Sequence, residues 1–378
     1  MTSFPARALI SRSALSQNLA VLRASTSSEL MAILKADAYG HGLERIARWA
    51  FDDGVRWFGV AQLTEAMQLR EHLPSARILT WIFTPGTDLS AALRADIDLS
   101  IGAAWALDDV EAAAHATGLT ARIHVKVDTG MSRGGLMLAD VAKASARIAE
   151  LEAEGVVSVV GLWSHLACAD ELPAPGQSTN GKTETQIAVF EQARAALARA
   201  GVTPHILHLA ASAGVLWHPA AHYDLVRPGI ALYGISPNPA VQRASELGLR
   251  GLMQLEAGIF SVRDVPAGTG VSYGHTYVTG RPARLGVVPL GYADGVPRLA
   301  SNAINVRVGG QMCPIRGRVC MDQFVIEGTG LEAGQTAILL GDERNGLPTA
   351  DDWAAATHTI GYEIVTRIGR HVPRVDAS

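Results

Sequence analysis

Lysine is almost missing from this chain: of 32 basic residues only Lys35, Lys126, Lys143 and Lys182 are lysines, leaving 28 arginines. Any chemistry that needs a neutral primary amine therefore has four places to reside. Cysteine is equally sparse. Cys168, Cys313 and Cys320 are odd in number and form no CxxC pair, which argues against a disulfide framework and a zinc site and fits a reducing compartment. No stretch approaches the roughly 20 apolar residues of a membrane span. The segment from Met1 to Ser16 lacks a basic stretch followed by an apolar run, so we expect no secretory signal and a cytoplasmic location. Net charge is only −4, without long single-sign runs, which gives no basis for a nucleic-acid or membrane-surface partner. Small-molecule chemistry is the default that remains.

What the sequence does have is length for two domains and a change of period between them. The chain has 378 residues against roughly 100–200 for a typical domain. Eight short apolar runs, near 30–35, 57–60, 77–82, 97–101, 121–127, 157–165, 205–210 and 224–232, alternate with Ala-rich helical patterns such as 103–117, 138–150 and 184–200. Buried parallel strands read as continuous apolar runs, and eight such units predict an α/β fold with an N-terminal (β/α)8 TIM barrel over residues 1–235. From residue 236 to 378 the pattern shifts to period-2 stretches, at 258–265, 284–290, 304–308, 318–326 and 336–340. Turns at Pro266-Ala267-Gly268 and Gly309-Gly310 lie between them, and helical character returns near 350–357 and 361–368. This predicts a mostly antiparallel β domain, with Ser236-Pro237-Asn238-Pro239 as the boundary.

Barrels of this kind carry their chemistry at the C-terminal ends of the strands. Lys35 ends the run Met31-Ala-Ile-Leu34, and a desolvated lysine there can be a neutral amine able to condense with a carbonyl. A buried ion pair with Asp37 is the alternative. Lys126 interrupts an apolar strand just before Asp128-Thr-Gly-Met-Ser-Arg133-Gly-Gly, where Arg133 reads either as an anion clamp or as a turn residue. His165 closes the sixth run and His208 lies in the seventh; either could be a hydrogen-bonded core histidine. Ser212-Ala213-Gly214 and Arg227-Pro228-Gly229-Ile230 fall where barrels often hold a phosphate on backbone N–H groups. The β domain offers Ser272-Tyr273-Gly-His, Gly291-Tyr292-Ala-Asp-Gly and Cys320-Met321-Asp322, each of which is also compatible with an ordinary turn.

Taken in order, these segments resemble the alanine racemase family over almost the whole chain. The resemblance rests on Ile33-Leu-Lys35-Ala-Asp-Ala-Tyr39-Gly-His-Gly, Lys126-Val-Asp-Thr-Gly-Met-Ser-Arg133, Ser164-His165, Val226-Arg227-Pro-Gly-Ile-Ala-Leu-Tyr-Gly, Ser272-Tyr273-Gly-His, Gly291-Tyr292-Ala-Asp-Gly, Arg318-Val-Cys-Met321-Asp322 and Ile360-Gly-Tyr362-Glu. It implies a pyridoxal 5'-phosphate enzyme interconverting L- and D-alanine, for peptidoglycan or for catabolism, as a cytoplasmic homodimer with shared active sites. By this resemblance Lys35 holds the cofactor as an internal aldimine and handles the D-side proton. Tyr273 of the second subunit handles the L-side proton, its phenolate helped by positive charge from His165, with Arg227 and His208 behind it. Tyr39, Ser212, Tyr362 and the Gly229-Ile230 backbone would bind the phosphate, and Arg227 would face the pyridine nitrogen. Arg133 would contact the cofactor oxygen and the substrate carboxylate, Met321 would complete the carboxylate clamp, and Tyr292 would narrow the entrance. Lys126 would be open to carbamylation. A broader amino-acid racemase, acting for example on serine, is the alternative substrate reading. A pyridoxal-phosphate decarboxylase of similar plan would place a glutamate where Arg227 stands. A non-catalytic carrier would need only the barrel. The chain departs from the family at Ala210-Ala211-Ser212, where an asparagine usually precedes the serine. Trp81-Ile82-Phe83 is also bulkier than expected.

Overall fold

The computed structural model describes residues 4–171 and 181–377, which divide into two compact units that are discontinuous in sequence. One unit comprises Leu19–Ala38 and Leu43–Leu232; the other comprises Met1–Asn18, Tyr39–Gly42 and Tyr233–Ser378.

The first strand, β1 (Ala6–Ile10), lies outside the barrel. The barrel strands are β2 (Glu29–Ile33), β3 (Trp57–Gln62), β4 (Arg77–Ile82), β5 (Asp98–Ile101), β6 (Ala121–Lys126), β7 (Val157–Trp163), β8 (Ile206–His208) and β9 (Leu225–Val226). These are the eight predicted runs. They pair in parallel in the order β8-β7-β6-β5-β4-β3-β2-β9. Between the two outer strands the ring is nearly closed: the Arg227 amide donates to the Ala210 carbonyl at 2.9 Å, the Asp224 amide to Leu207 at 3.1 Å, and Ala211 bridges Arg227. Burial explains why the runs were legible, since every residue of β5 is buried, as are six of the seven in β7. The amphipathic helices, among them Ala104–Thr117 and Leu138–Ala153, turn Val110 and Val141 inward and leave the opposite face to water.

In the second unit a nine-stranded sheet is antiparallel except at one edge. There β1 runs antiparallel to Met253–Gly258 and parallel to Arg374–Asp376. The expected stretch 318–326 forms a strand only over Phe324–Glu327, and Gln311–Arg316 adds a strand that the pattern did not reveal. Residues 318–323 instead make a turn: the Cys320 amide donates to the Gln323 carbonyl at 2.9 Å, and the Cys320 and Met321 carbonyls receive the amides of Tyr292 and Ala293. Helices at Ala350–Ala356 and Gly361–Thr366 match the two predicted ones. Among the described residues no helix is long and apolar enough to cross a membrane.

Candidate active site

Lys35 follows β2 with only Leu34 between them and opens a short helical turn, Lys35–Gly40, that is wound in the unusual sense. Ala36, Asp37, Ala38 and Tyr39 all have φ between 52° and 55°. For L-residues this left-handed winding costs about 1–2 kcal/mol each, so neighbours must hold it. They do: the Ala36 amide donates to Glu65 Oε1 at 2.6 Å, the Ala38 amide to the Leu34 carbonyl at 2.8 Å, and the Leu43 amide to Asp37 Oδ1 at 2.7 Å. Asp37 is thus engaged as a turn-former. The carboxylate that favours a charged Lys35 is Glu65, but burial first and the Arg133 guanidinium second outweigh it and hold the amine below its ordinary range.

The lysine is one of several basic groups gathered at the C-terminal ends of the barrel strands, and Arg227, Arg133, Lys35 and Lys126 all act on His165. Lys126, at the end of β6, has its amine pushed down to about 8 by burial, Arg133 and Arg227, and its Nζ sits 4.8 Å from the centre of the Trp163 ring. Arg133 is carried on a loop shaped by Asp128, whose Oδ1 accepts from the amides of Gly130, Met131 and Ser132 at 2.8, 2.9 and 3.1 Å. Arg227 is buried, its guanidinium lying 4.9 Å from the same Trp163 ring. Nη2 donates to the carbonyls of Ser164 (2.6 Å) and Leu209 (3.0 Å), and Nη1 lies 3.1 Å from His208 Nδ1. Desolvation lowers this arginine to about 9, still above neutrality, so it remains a cation.

His165 sits amid these charges. Burial, then Arg227, Arg133, Lys35 and Lys126, hold its imidazole well below the ordinary range, and His208 is held down in the same way by burial, Arg227 and His124. Both rings are therefore neutral at pH 7. In the single chain the positive charge around these rings therefore resides on the guanidinium and ammonium groups, Arg227 among them, because an imidazole surrounded by cations gives up its proton first.

Ser212 opens the helix Ser212–Trp217, and its Oγ accepts from the Gly229 and Ala231 amides at 2.9 and 3.3 Å, bracketing Ile230. The two alanines before it leave the loop intact, since Ala210 and Ala211 pair through backbone groups with Arg227. Trp81 packs edge-on against Trp163 at 5.9 Å and Phe83 against Trp105 at 5.7 Å, so the bulky stretch fills space beside the cation cluster.

The remaining sequence-predicted residues lie in the second unit and form two groups there. Tyr39 is buried, with ring centroids 4.7 Å from Tyr233 and 6.2 Å from Tyr362; burial and the neighbouring Tyr362 raise its phenol. Tyr273, Tyr292 and Met321 form the other group, 73, 41 and 54% exposed. One turn joins them. The Tyr292 amide donates to the Cys320 carbonyl and the Ala293 amide to Met321, both at 3.0 Å, while Ser272 Oγ donates to Arg318 at 2.6 Å. Gly291 is required at this junction, because a Cβ there would fall 2.1 Å from the Met321 carbonyl oxygen.

Sequence reasoning missed Glu65, Trp163, His124 and Asp98. His124 and Asp98 carry the polar contacts of His208 deeper into the barrel: His124 Nδ1 is 2.9 Å from His208 Nε2, and His124 Nε2 is 3.2 Å from Asp98 Oδ2. For Asp98 and His124 the sequence signal was a polar residue interrupting an apolar run; Glu65, on the helix Leu63–His72, and Trp163 carried none.

A desolvated lysine amine, a buried arginine and a ring of further cations suit an anionic carbonyl compound, and they define a barrel enzyme that works through a lysine. Comparison with known proteins narrows this. The profile "Alanine racemase, N-terminal domain" matches residues 10–237, and "Alanine racemase, C-terminal domain" matches 252–376. An alanine racemase of Beutenbergia cavernae is 50% identical over 377 residues, covering 99% of this chain and 98% of that protein. The alanine racemase structure from Streptomyces lavendulae superposes with a TM-score of 0.95 at 46% identity, covering 100% of this chain and 98% of the other. The biosynthetic enzyme of Pseudomonas aeruginosa gives 0.86 at 35% identity, covering both chains in full. The chain belongs to the alanine racemase family, and it is an amino-acid racemase, an isomerase.

Proposed function

We propose that this racemase interconverts L- and D-alanine in the cytoplasm, supplying D-alanine for peptidoglycan, as a homodimer that carries pyridoxal 5'-phosphate on Lys35. The observation that carries this reading is the Lys35 amine at the strand end, depressed by burial and by Arg133. The residues fit the cofactor. A neutral amine can condense with its aldehyde, and the surrounding cations suit its phosphate and the substrate carboxylate. Ser212, the Gly229-Ile230 backbone, Tyr39 and Tyr362 would hold the phosphate, with Arg133 and His165 on the ring substituents. When bound, pyridoxal phosphate supplies an electron sink that acidifies the substrate Cα–H.

The chain's own groups account for the rest. Arg227 would donate a hydrogen bond to the pyridine nitrogen and keep its own proton, which would limit the sink and disfavour side reactions. Lys35 accepts or returns the proton on the D face. Tyr273 of a second copy serves the L face, consistent with its 73% exposure in the single chain. Met321 and Tyr292, hydrogen-bonded to one turn beside it, would travel with it to complete the carboxylate clamp and narrow the entrance. Lys126 is the candidate for carbamylation. An amine titrating near 8 is about one-tenth neutral at pH 7 and can add carbon dioxide, placing a carboxylate beside Arg133. A mass 44 units higher on the Lys126 peptide, about that of carbon dioxide, would report it.

The test is Cα deuterium exchange into D- and L-alanine by wild type, Lys35→Ala and Tyr273→Ala. Each variant should lose primary exchange from one enantiomer, D for Lys35 and L for Tyr273. Equal loss from both would refute the separate-face assignment, and absence of exchange in the wild type would refute the reading as a whole.

A further inference from the structure

Behind Arg227 a file of buried polar side chains runs through the interior of the barrel. It begins at Arg227 Nη1, passes through His208 (3.1 Å to Nδ1) and His124 (2.9 Å between His208 Nε2 and His124 Nδ1), and ends at Asp98 (3.2 Å from His124 Nε2 to Oδ2). His208, His124 and Asp98 are 0% exposed. Asp98 is in turn gripped by Arg77 Nη2 at 2.7 Å on Oδ2 and by Arg122 Nε at 2.6 Å on Oδ1. Space has been cleared for this file, since a Cβ on Gly161 would stand 2.3 Å from His124 Nδ1. Trp163 lies flat against His208 at 5.6 Å, and Trp57 meets His124 edge-on at 5.8 Å.

The hydrogen-bond directions in such a file are not free. A guanidinium has donors only, so His208 Nδ1 must accept. A neutral imidazole has one N–H, so the His208 proton is on Nε2 and points at His124 Nδ1, which must also accept. The His124 proton is then on Nε2 and points at Asp98, an acceptor-only group while ionised. Burial opposes that ionisation, but the hydrogen bond from His124 and the charges of Arg122 and Arg77 outweigh it and hold the carboxyl below its usual range. Either end alone dictates the same polarity.

We infer that Asp98, His124 and His208 form a one-way hydrogen-bond chain that anchors the Arg227 guanidinium, with both imidazoles locked neutral as Nε2–H tautomers and Asp98 and His124 acting as positioning residues for that arginine. The chain keeps a lone pair of His208 permanently turned toward Arg227. Reversed, it would set N–H against N–H and push the guanidinium away. Its bearing on catalysis rests on the reading that Arg227 faces the pyridine nitrogen; the chain itself does not.

The experiment is 1H–15N correlation spectroscopy of the purified full-length protein carrying 15N-histidine, with the two rings assigned through His124→Gln and His208→Gln. In the wild type both rings are expected to show a protonated Nε2 and an unprotonated Nδ1, with exchange-protected, downfield Nε2 protons. In Asp98→Ala the His124 Nε2 proton should move upfield and lose protection. Because hydrogen bonds in a file polarise one another, the His208 proton, one link further on, should move with it. Asp98→Asn, which keeps an oxygen but no charge, should fall between the two. An Nδ1–H or doubly protonated ring in the wild type would overturn the proposal, and so would a His208 proton unmoved when Asp98 is changed. The wild-type spectrum decides the tautomers even where a variant fails to fold. It is independent of cofactor binding and of exchange at alanine, so a failed functional reading would leave it intact.

Discussion

Replacing Gly161 with alanine tests whether the barrel interior is built around His124. Gly161 is buried in β7, and the added methyl carbon would lie 2.3 Å from His124 Nδ1, 2.9 Å from Cε1 and 3.1 Å from Cγ. Ordinary contact begins near 3.4 Å, so the ring must retreat by about 1 Å. That exceeds what the 2.9 Å contact with His208 can absorb while remaining a hydrogen bond. Overpacking costs about 1–3 kcal/mol and a buried polar atom left without its partner about 1–3 kcal/mol. Lower backbone entropy in the unfolded chain returns about 0.4–1 kcal/mol. The net loss should be about 2–5 kcal/mol, which for a unit of this size lowers the melting temperature by about 5–15 °C. The assay is thermal unfolding followed by circular dichroism, on Gly161→Ala, His124→Ala and the double variant. With the imidazole gone the methyl has room, so the double variant should be less damaged than the sum of the singles by about 1–3 kcal/mol. Strict additivity, or a Gly161→Ala protein within about 0.5 kcal/mol of wild type, would refute the reasoning.

Two further outcomes follow from the same site, alongside the exchange and tautomer experiments above. Lys126 has a folded-state value near 8 against 10.5 for a free lysine, so the folded protein resists charging it. The penalty is fully present below about pH 8, shrinks as pH rises from 8 toward 10.5, and is absent above that. Lys126→Met should therefore melt at a higher temperature than wild type at pH 7 in carbon-dioxide-free buffer. The advantage should fade across that window, and one that does not change with pH would contradict the desolvation argument. Ser212→Ala removes the acceptor shared by the Gly229 and Ala231 amides, so it should cost about 1–3 kcal/mol by thermal melting and weaken retention of pyridoxal phosphate in dialysis. Unaltered retention would remove Ser212 from the phosphate-binding set.

Most of the barrel was legible because its strands are buried on both faces. Runs such as Val157–Trp163 carry no polar alternation that could be mistaken for anything else. Site residues were legible for a related reason: Lys35, Lys126, His165 and Arg227 are polar groups at or just beyond the ends of apolar runs, where a barrel keeps its chemistry. What could not be read depends on pairing across long separations. β1 looks like any short apolar segment, and only its partners at 253–257 and 374–376 assign it to the second unit. The turn at 318–323 was mistaken for strand because its reason for bending is Gly291, some thirty residues earlier. Asp98 and His124 were passed over because their partners come from other strands, and the left-handed turn after Lys35 is written in alanine, aspartate and tyrosine rather than in glycine.

That turn has a consequence for how the lysine is kept in place. Four successive L-residues sit on the wrong side of the Ramachandran map, so the segment's own preference is to uncoil, and its hold on position is borrowed from Glu65 and Asp37, whose carboxylates clasp amides at its two ends. The amine's address at the barrel rim is thus a cocked state secured by two latches, and removing either should let the backbone relax and carry Lys35 off its mark with no change to the lysine itself.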